Sequence, residues 1–207
     1  MIVIINYGLG NLGSIANMLR KIGVEALVSS EVSAIEKSDK LILPGVGAFD
    51  RGMTNLKDSD LLPILNKKVL EDKTPILGIC LGMQLLGKGS EEGSQPGLGW
   101  LDAEIVRFQL NRENSSLRIP HMGWNMLNIV RSHPIFMGLE QENRFYFVHS
   151  YHMVCTKEEN ILAKSQYGYS FAAVAGYANI IGVQFHPEKS HKFGMRLLKN
   201  FAEWNYT

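Results

Sequence analysis

The chain has 207 residues, 45% of them hydrophobic and 20% charged, with a formal net charge of +1. This is the composition of a globular protein with material for a sizeable core, and the lack of any basic or acidic block argues against nucleic acid or a membrane surface as the main partner. No apolar run approaches the roughly 18 residues that a membrane-spanning helix needs.

Residues 1–6, MIVIIN, form a short apolar run stopped by Gly8 and Gly10, which predicts a buried strand. The same N-terminal stretch carries neither the basic flank nor the small-residue cleavage site of a signal peptide, so a cytoplasmic location is expected. Asn11 is placed to cap a helix whose apolar positions Leu12, Ile15, Leu19 and Ile22 recur at helical spacing up to Gly23. EALVS (25–29) and KLILPG (40–45) read as strands, the second stopped by Pro44-Gly45. Leu61, Leu62, Leu65, Val69 and Leu70 predict a helix ahead of Pro75, and PILGIC (75–80) predicts another strand. Such alternation implies a parallel sheet covered on both faces.

From about residue 100 the texture changes. AEIVRF, NMLNIV, RFYFVHSYHMVC, NILAKS, FAAVA and NIIGVQFH are strand-like runs separated by short polar turns, which predicts antiparallel strands added to the same domain. A final helix near 191–204 carries Phe193, Leu197, Leu198 and Phe201 on one face. With no repeat and no linker-like tract, one α/β domain over 1–207 is expected: an open, mostly parallel central sheet flanked by helices, with antiparallel strands in its C-terminal half.

Gly8-Leu9-Gly10-Asn11-Leu12-Gly13 matches the dinucleotide pattern G-x-G-x-x-G between a strand and a helix. The acidic residue that should end the second strand is missing, since Glu31 already lies past it, and a tight turn accounts for the glycines as well. Gly78-Ile-Cys80-Leu-Gly82 has the form of a nucleophile elbow with cysteine in place of serine. A following helix N-terminus would favour its thiolate. The ordinary reading is a small buried core cysteine. Cys155, the other thiol, has no glycine frame and reads as inert; two cysteines make no disulfide framework.

His186 and Glu188 lie two apart across Pro187 in VQFHPEKS, and in an extended segment they would point the same way. A carboxylate beside an imidazole fixes its tautomer and stabilises the imidazolium, which in turn stabilises a thiolate. Cys80, His186 and Glu188 therefore form a candidate triad. Acyl transfer from cysteine also needs donors aimed at the oxyanion. The glycine turn LPGVGAF supplies Val46 or Gly47 N–H, and Leu81 N–H follows the nucleophile. Taken singly, His-Pro-Glu is a polar turn and PGVG an ordinary strand end. The histidines show no metal-ligand pairing, and no metal or cofactor is expected.

The three pieces together, PGVGAF, GICLGMQLL and GVQFHPEKS, resemble the class I (triad) glutamine amidotransferases, over nearly the whole chain. Within that family YGLGNLGSI, PHMGWN (120–125) and YFVHSY (146–151) resemble the glutaminase subunits of imidazole glycerol phosphate synthases. The resemblance implies a flavodoxin-like fold, with Cys80 as nucleophile, His186 as base and acid, and Glu188 as its orienter. It implies that Gln84, Glu92 and the Ser150-Tyr151 backbone hold the amino-acid end of L-glutamine, and that the Gly47 region faces the reacting amide. It also implies a (β/α)8-barrel cyclase as the heterodimer partner that consumes the ammonia in histidine biosynthesis. Asn11, Trp124, Tyr146 and Lys189 are the expected interface positions; core packing for the aromatics and a solvated lysine are the alternatives.

Two departures bear on the acceptor. Asn6 and Gly13 stand where the family often has aspartate and arginine, and HPEKSHKFGMRLLKNFAEW resembles a branch associated with surface-polysaccharide enzymes, where ammonia amidates a sugar. Sugar amidation is thus one rival reading. A catalytically silent binding module and a thiol peptidase are the others, disfavoured by the intact triad and by Gln84 after the elbow respectively.

Overall fold

A computed structural model describes residues 1–110, 117–139 and 143–206. The first half is strand–helix alternation: β1 (Ile2–Ile5), α1 (Leu12–Lys21), β2 (Ala26–Ser29), α2 (Val32–Glu36), β3 (Lys40–Gly45), α3 (Phe49–Asp58), α4 (Leu62–Asn66), β4 (Ile76–Cys80) and α5 (Leu81–Leu85). A wider helical turn, Lys67–Glu71, continues α4. The second half holds β5 (Ala103–Arg107), β6 (His121–Met126), β7 (Asn128–Ile129), β8 (Arg144–His149), β9 (Tyr151–Cys155), β10 (Ile161–Tyr167), β11 (Tyr169–Tyr177), β12 (Ile180–Val183) and α6 (His191–Glu203).

The central sheet runs in the order β2-β1-β3-β4-β12-β11-β10-β7, with β9 pairing both β11 and β5. β2, β1, β3, β4 and β12 are mutually parallel, and the strands beyond β12 are antiparallel. β1, β3, β4 and β12 are buried along their whole length, which is why they read as unbroken apolar runs. Their alternate side chains feed two cores. Ile4 and Ile42 pack with Ile15, Leu19, Leu197 and Leu198 on the α1–α6 face. Val3, Ile5, Leu41 and Leu43 pack with Phe49, Met53, Leu56 and Leu85 on the α3–α5 face.

Three expectations are corrected. Asn11 starts α1 through its backbone, its carbonyl accepting from Ile15 N at 3.1 Å, but its side chain makes no capping bond. The run 144–155 is two strands broken at Ser150, because β8 pairs with β6 in a separate two-stranded ribbon while β9 belongs to the central sheet. The stretch between Gly45 and Leu61, where no helix is expected, contains α3, whose buried face is Phe49, Gly52, Met53 and Leu56.

Candidate active site

The carboxyl ends of β1, β3, β4 and β12 open on one side of the sheet, the edge at which open α/β sheets present their sites. Asn11 follows β1, Val46 and Gly47 follow β3, Cys80 ends β4 and His186 follows β12. All five line one cavity of about 540 Å³, together with Leu81, Gln84, Glu92, Ser150, Tyr151 and Lys189. Pro120, Val148 and His149 complete the lining. A larger groove of about 620 Å³ beside α1 and β2 is lined by Met1, Ala16, Val24 and Leu27 with Arg20 and Glu25, and it contains no nucleophile.

Cys80 adopts φ 55° and ψ −110°, a conformation that side chains rarely take. Its glycine frame has a direct cause. A Cβ on Gly82 would overlap the Leu43 carbonyl oxygen, and one on Gly78 would sit 2.8 Å from Gly82 O. The elbow is thus pressed against β3 by backbone contact, and only glycine lets it close. The sulfur is buried; it accepts from Gln184 Nε2 at 3.9 Å, and its S–H donates to Val148 O at 4.0 Å. α5 begins at Leu81, so its first free N–H groups lie immediately after Cys80.

His186 and Glu188 meet because Pro187–Lys189 is a single 3-10 turn, rather than through strand alternation. His186 Nδ1 donates to Glu188 Oε1 at 2.7 Å. Ser190 Oγ holds the turn by donating to His186 O at 2.6 Å, and His186 N donates to Tyr146 O at 2.9 Å. Burial alone would push His186 down; the Cys80 sulfur and the Glu188 carboxylate outweigh it and raise the imidazole to about 10. Its Nε2 is buried and makes no hydrogen bond of ordinary geometry. Burial likewise opposes the Glu188 carboxylate, but the His186 pairing and Asn11 Nδ2, donating at 2.8 Å, hold it below the usual carboxylate range.

Gln84 is buried, and its amide donates to Tyr151 O at 3.1 Å and to Gln184 Oε1 at 3.2 Å. Glu92 Oε2 accepts from Phe49 N at 2.9 Å, the first N–H of α3. Asp50, one residue on, accepts from Ser94 N and Gln95 N, so the Glu92 loop and α3 clasp each other. Tyr7, Gln184 and His149 are site residues that sequence reasoning missed. Tyr7 Oη donates to Pro44 O at 2.6 Å, bracing the strand before Val46, and burial followed by Cys80 pushes its hydroxyl pKa up. Gln184 lies two residues before His186, a spacing visible in VQFH.

Three of the expected interface positions lie near the rim. Trp124 is 46% exposed, stacked 5.4 Å from His191 at 6° and edge-on to Tyr146 at 6.1 Å. Lys189 Nζ lies 5.7 Å from the centre of the half-buried Tyr146 ring. Asn11 instead turns its side chain inward to Glu188. Cys155 has no place in the cavity; burial and then Asp102 push its thiol up to about 11. Among the described residues no three His, Cys, Asp or Glu converge as a metal site, and no helix is long and apolar enough to cross a membrane.

The family model of the class-I glutamine amidotransferases matches residues 3–204. Imidazole glycerol phosphate synthase subunit HisH 2 of Methanococcus maripaludis is 53% identical, over 98% of this chain and 99% of its own. The protein of the same name from Pseudomonas aeruginosa is 50% identical over the same shares. A crystal structure described as a glutamine amidotransferase superposes with a TM-score of 0.71 over 98% of each chain, at 22% identity, a likeness of fold. A nucleophile elbow facing a paired His and Glu, on a sheet of this order and with relatives of this closeness, leaves one assignment: the chain belongs to the class-I glutamine amidotransferases and, within them, to the HisH subunit family.

Proposed function

We propose that the chain is a single glutaminase domain over 1–207, the cytoplasmic subunit of an imidazole glycerol phosphate synthase that hydrolyses L-glutamine and hands the ammonia to a (β/α)8-barrel cyclase. The ammonia then enters imidazole glycerol phosphate and AICAR formation in histidine biosynthesis. Cys80 thiolate attacks the side-chain amide carbon, and the N–H groups of Val46 or Gly47 and of Leu81 receive the oxyanion. The tetrahedral intermediate collapses as His186 protonates the departing ammonia, leaving a thioester on Cys80. His186 then takes a proton from water, which cleaves the thioester to glutamate and restores the thiolate. Gln84, Glu92 and the Ser150-Tyr151 backbone hold the amino-acid end. Trp124, Tyr146, Lys189 and the Asn11 loop rim the passage to the partner.

The observation that carries this reading is His186. Its Nδ1 is fixed on Glu188 at 2.7 Å while Nε2 has no partner, in the same cavity as Cys80. A merely structural histidine satisfies both nitrogens. An electrophilic glutamine analogue, followed by mass spectrometry, tests the reading: the adduct is expected on Cys80, and Cys80→Ala should abolish glutamine hydrolysis while Cys155→Ala leaves it near wild type. An adduct on Cys155 overturns it.

A second reading keeps the same chemistry and changes the acceptor to a sugar. It is favoured by the likeness of HPEKSHKFGMRLLKNFAEW to the polysaccharide-associated branch. Offering each barrel partner with its own acceptor, and measuring which pair raises glutaminase turnover, separates the two.

A further inference from the structure

The backbone passes from the β6–β8 ribbon into the central sheet at one residue, Ser150, and both Ser150 and Tyr151 line the Cys80 cavity. His149 Nδ1 lies 2.8 Å from Tyr151 O, closing a clasp across that crossover. Gln84 Nε2 donates to the same carbonyl at 3.1 Å, and Phe108 N donates to Ser150 O at 3.0 Å. On the other side of the ring, His149 Nε2 lies 2.9 Å from His121 Nδ1, its cross-strand partner in the ribbon.

These contacts fix every proton. A carbonyl only accepts, so His149 carries its hydrogen on Nδ1. Its Nε2 therefore accepts from His121 Nδ1–H, and His121 Nε2 accepts from Asn125 Nδ2 at 3.2 Å. Both rings are buried, and burial holds His121 down at about 4 and His149 at about 3, so both are neutral near pH 7. His121 is stacked on Tyr167 at 4.1 Å and on Phe147 at 4.8 Å, which keeps its donor aimed at His149. A chain of neutral imidazoles with each atom in one role is an orienting device, and nothing in the hydrolysis above requires it to move a proton.

We propose that His149, oriented by His121, is a positioning residue for the glutamine site: its Nδ1–H holds the Tyr151 carbonyl and so sets the Ser150-Tyr151 segment against Cys80. The inference rests on the reading of that segment as the holder of the substrate's amino-acid end. A pair that merely fills the core would depend on volume; this role depends on which ring nitrogen is kept. An asparagine side chain places its amide where Nδ1 lies, and a glutamine side chain places its amide where Nε2 lies. His149→Asn therefore keeps the clasp to Tyr151 and loses His121, while His149→Gln does the reverse.

The test is alkylation of Cys80 in the full chain by a diazoketone analogue of glutamine, with the saturation constant KI and the maximal rate measured separately. Iodoacetamide, which needs no amino-acid site, is the control. Loss of the clasp in His149→Gln and His149→Ala should raise KI about five- to tenfold, and His149→Asn should stay within about twofold of wild type. Iodoacetamide rates should be unchanged in all three. Should the His149 variants fail to fold, His121→Phe, which retains the stacking, should raise KI about threefold by freeing the tautomer. A His149→Asn variant as impaired as His149→Ala, iodoacetamide rates that fall in step with KI, or an unchanged KI throughout the series overturns the inference. Wild-type labelling that never saturates overturns the glutamine-site reading itself, and this inference with it.

Discussion

Asn11 Nδ2 donates at 2.8 Å to Glu188 Oε1, the same oxygen that His186 Nδ1 reaches at 2.7 Å. One carboxylate oxygen thus ties the loop after β1 to the His-Pro-Glu turn, while Oε2 is buried without a partner. Among the described residues, removing Asn11 would leave the buried carboxylate with His186 as its sole side-chain donor. Asn11→Ala should therefore lower kcat about tenfold, the loss of one hydrogen bond to a charged group. His186→Asn should remove nearly all activity and Glu188→Gln should leave more, because the third member of a triad orients rather than transfers the proton. Glutamate release from L-glutamine, measured with the proposed barrel partner present, is the readout. Wild-type kcat in Asn11→Ala would show that this bond serves only the fold.

His186 on one side and His121 and His149 on the other carry opposite pH signatures. His186 is raised from 6.5 to about 10. The folded state holds that proton more tightly, so its contribution to stability is fully present below about 6.5 and is lost as pH rises through about 10. His121 and His149 are lowered to about 4 and about 3. For them the unfolded chain binds protons more tightly, so stability falls as pH drops from about 6.5 through those values. Urea midpoints should peak near neutrality. His186→Asn should flatten the alkaline limb and His121→Phe the acid one; identical limbs in wild type and variants would remove these groups from the account.

The parallel half of the sheet is legible because strands buried on both faces appear as unbroken apolar runs, as MIVIIN and KLILPG do. α3 is not, since FDRGMTNLKD is mostly polar and only three of its large apolar side chains, Phe49, Met53 and Leu56, reach the core. The Ser150 break has no glycine or proline to announce it. It is made by contacts from far along the chain, Phe108 N to Ser150 O among them. The candidate triad could be read because each member sits near a residue with its own backbone signature, Gly78 and Gly82 around Cys80 and Pro187 between His186 and Glu188. His149 ends β8, and Tyr7 and Gln184 lie just past β1 and β12, where a buried polar residue gains meaning only from a partner that tertiary structure supplies.

Two glycines of the turn motifs should respond oppositely to alanine. At Gly82 a Cβ would overlap the Leu43 carbonyl, and backbone on both sides leaves no room to yield. Gly82→Ala should destabilise the fold by about 3 kcal/mol or more. Gly13 lies inside α1, where an added methyl would meet nothing within 4 Å and φ is not positive. Gly13→Ala should stabilise by about 0.5–1 kcal/mol through helix propensity and a less flexible unfolded chain. Denaturant unfolding of both variants decides this. A destabilised Gly13→Ala would mean the third glycine of GLGNLG has a packing role, and the dinucleotide pattern would have to be weighed again.

Trp124 carries the most direct prediction about association. On β6 it alternates with Met122 and Met126, which are 62% and 48% exposed, so one face of the ribbon presents three large apolar side chains. Trp124 is held upright by His191 and Tyr146, and a ring already ordered loses little conformational entropy when a partner covers it. Tyr146 is in turn tied to the His-Pro-Glu turn through His186 N and Ser190 Oγ, so a partner docked here would rest beside the reacting groups. Trp124→Ala should weaken binding of the proposed barrel partner by about 2 kcal/mol, as loss of an aromatic anchor does. Because Trp124 is exposed on the ribbon surface, the free subunit should keep its fold and its Tm within a few degrees. Isothermal titration with the barrel subunit, alongside circular dichroism of the free variant, measures both. Unchanged affinity would move the docking face elsewhere, and a collapsed free subunit would make Trp124 a pillar of the ribbon instead of an anchor.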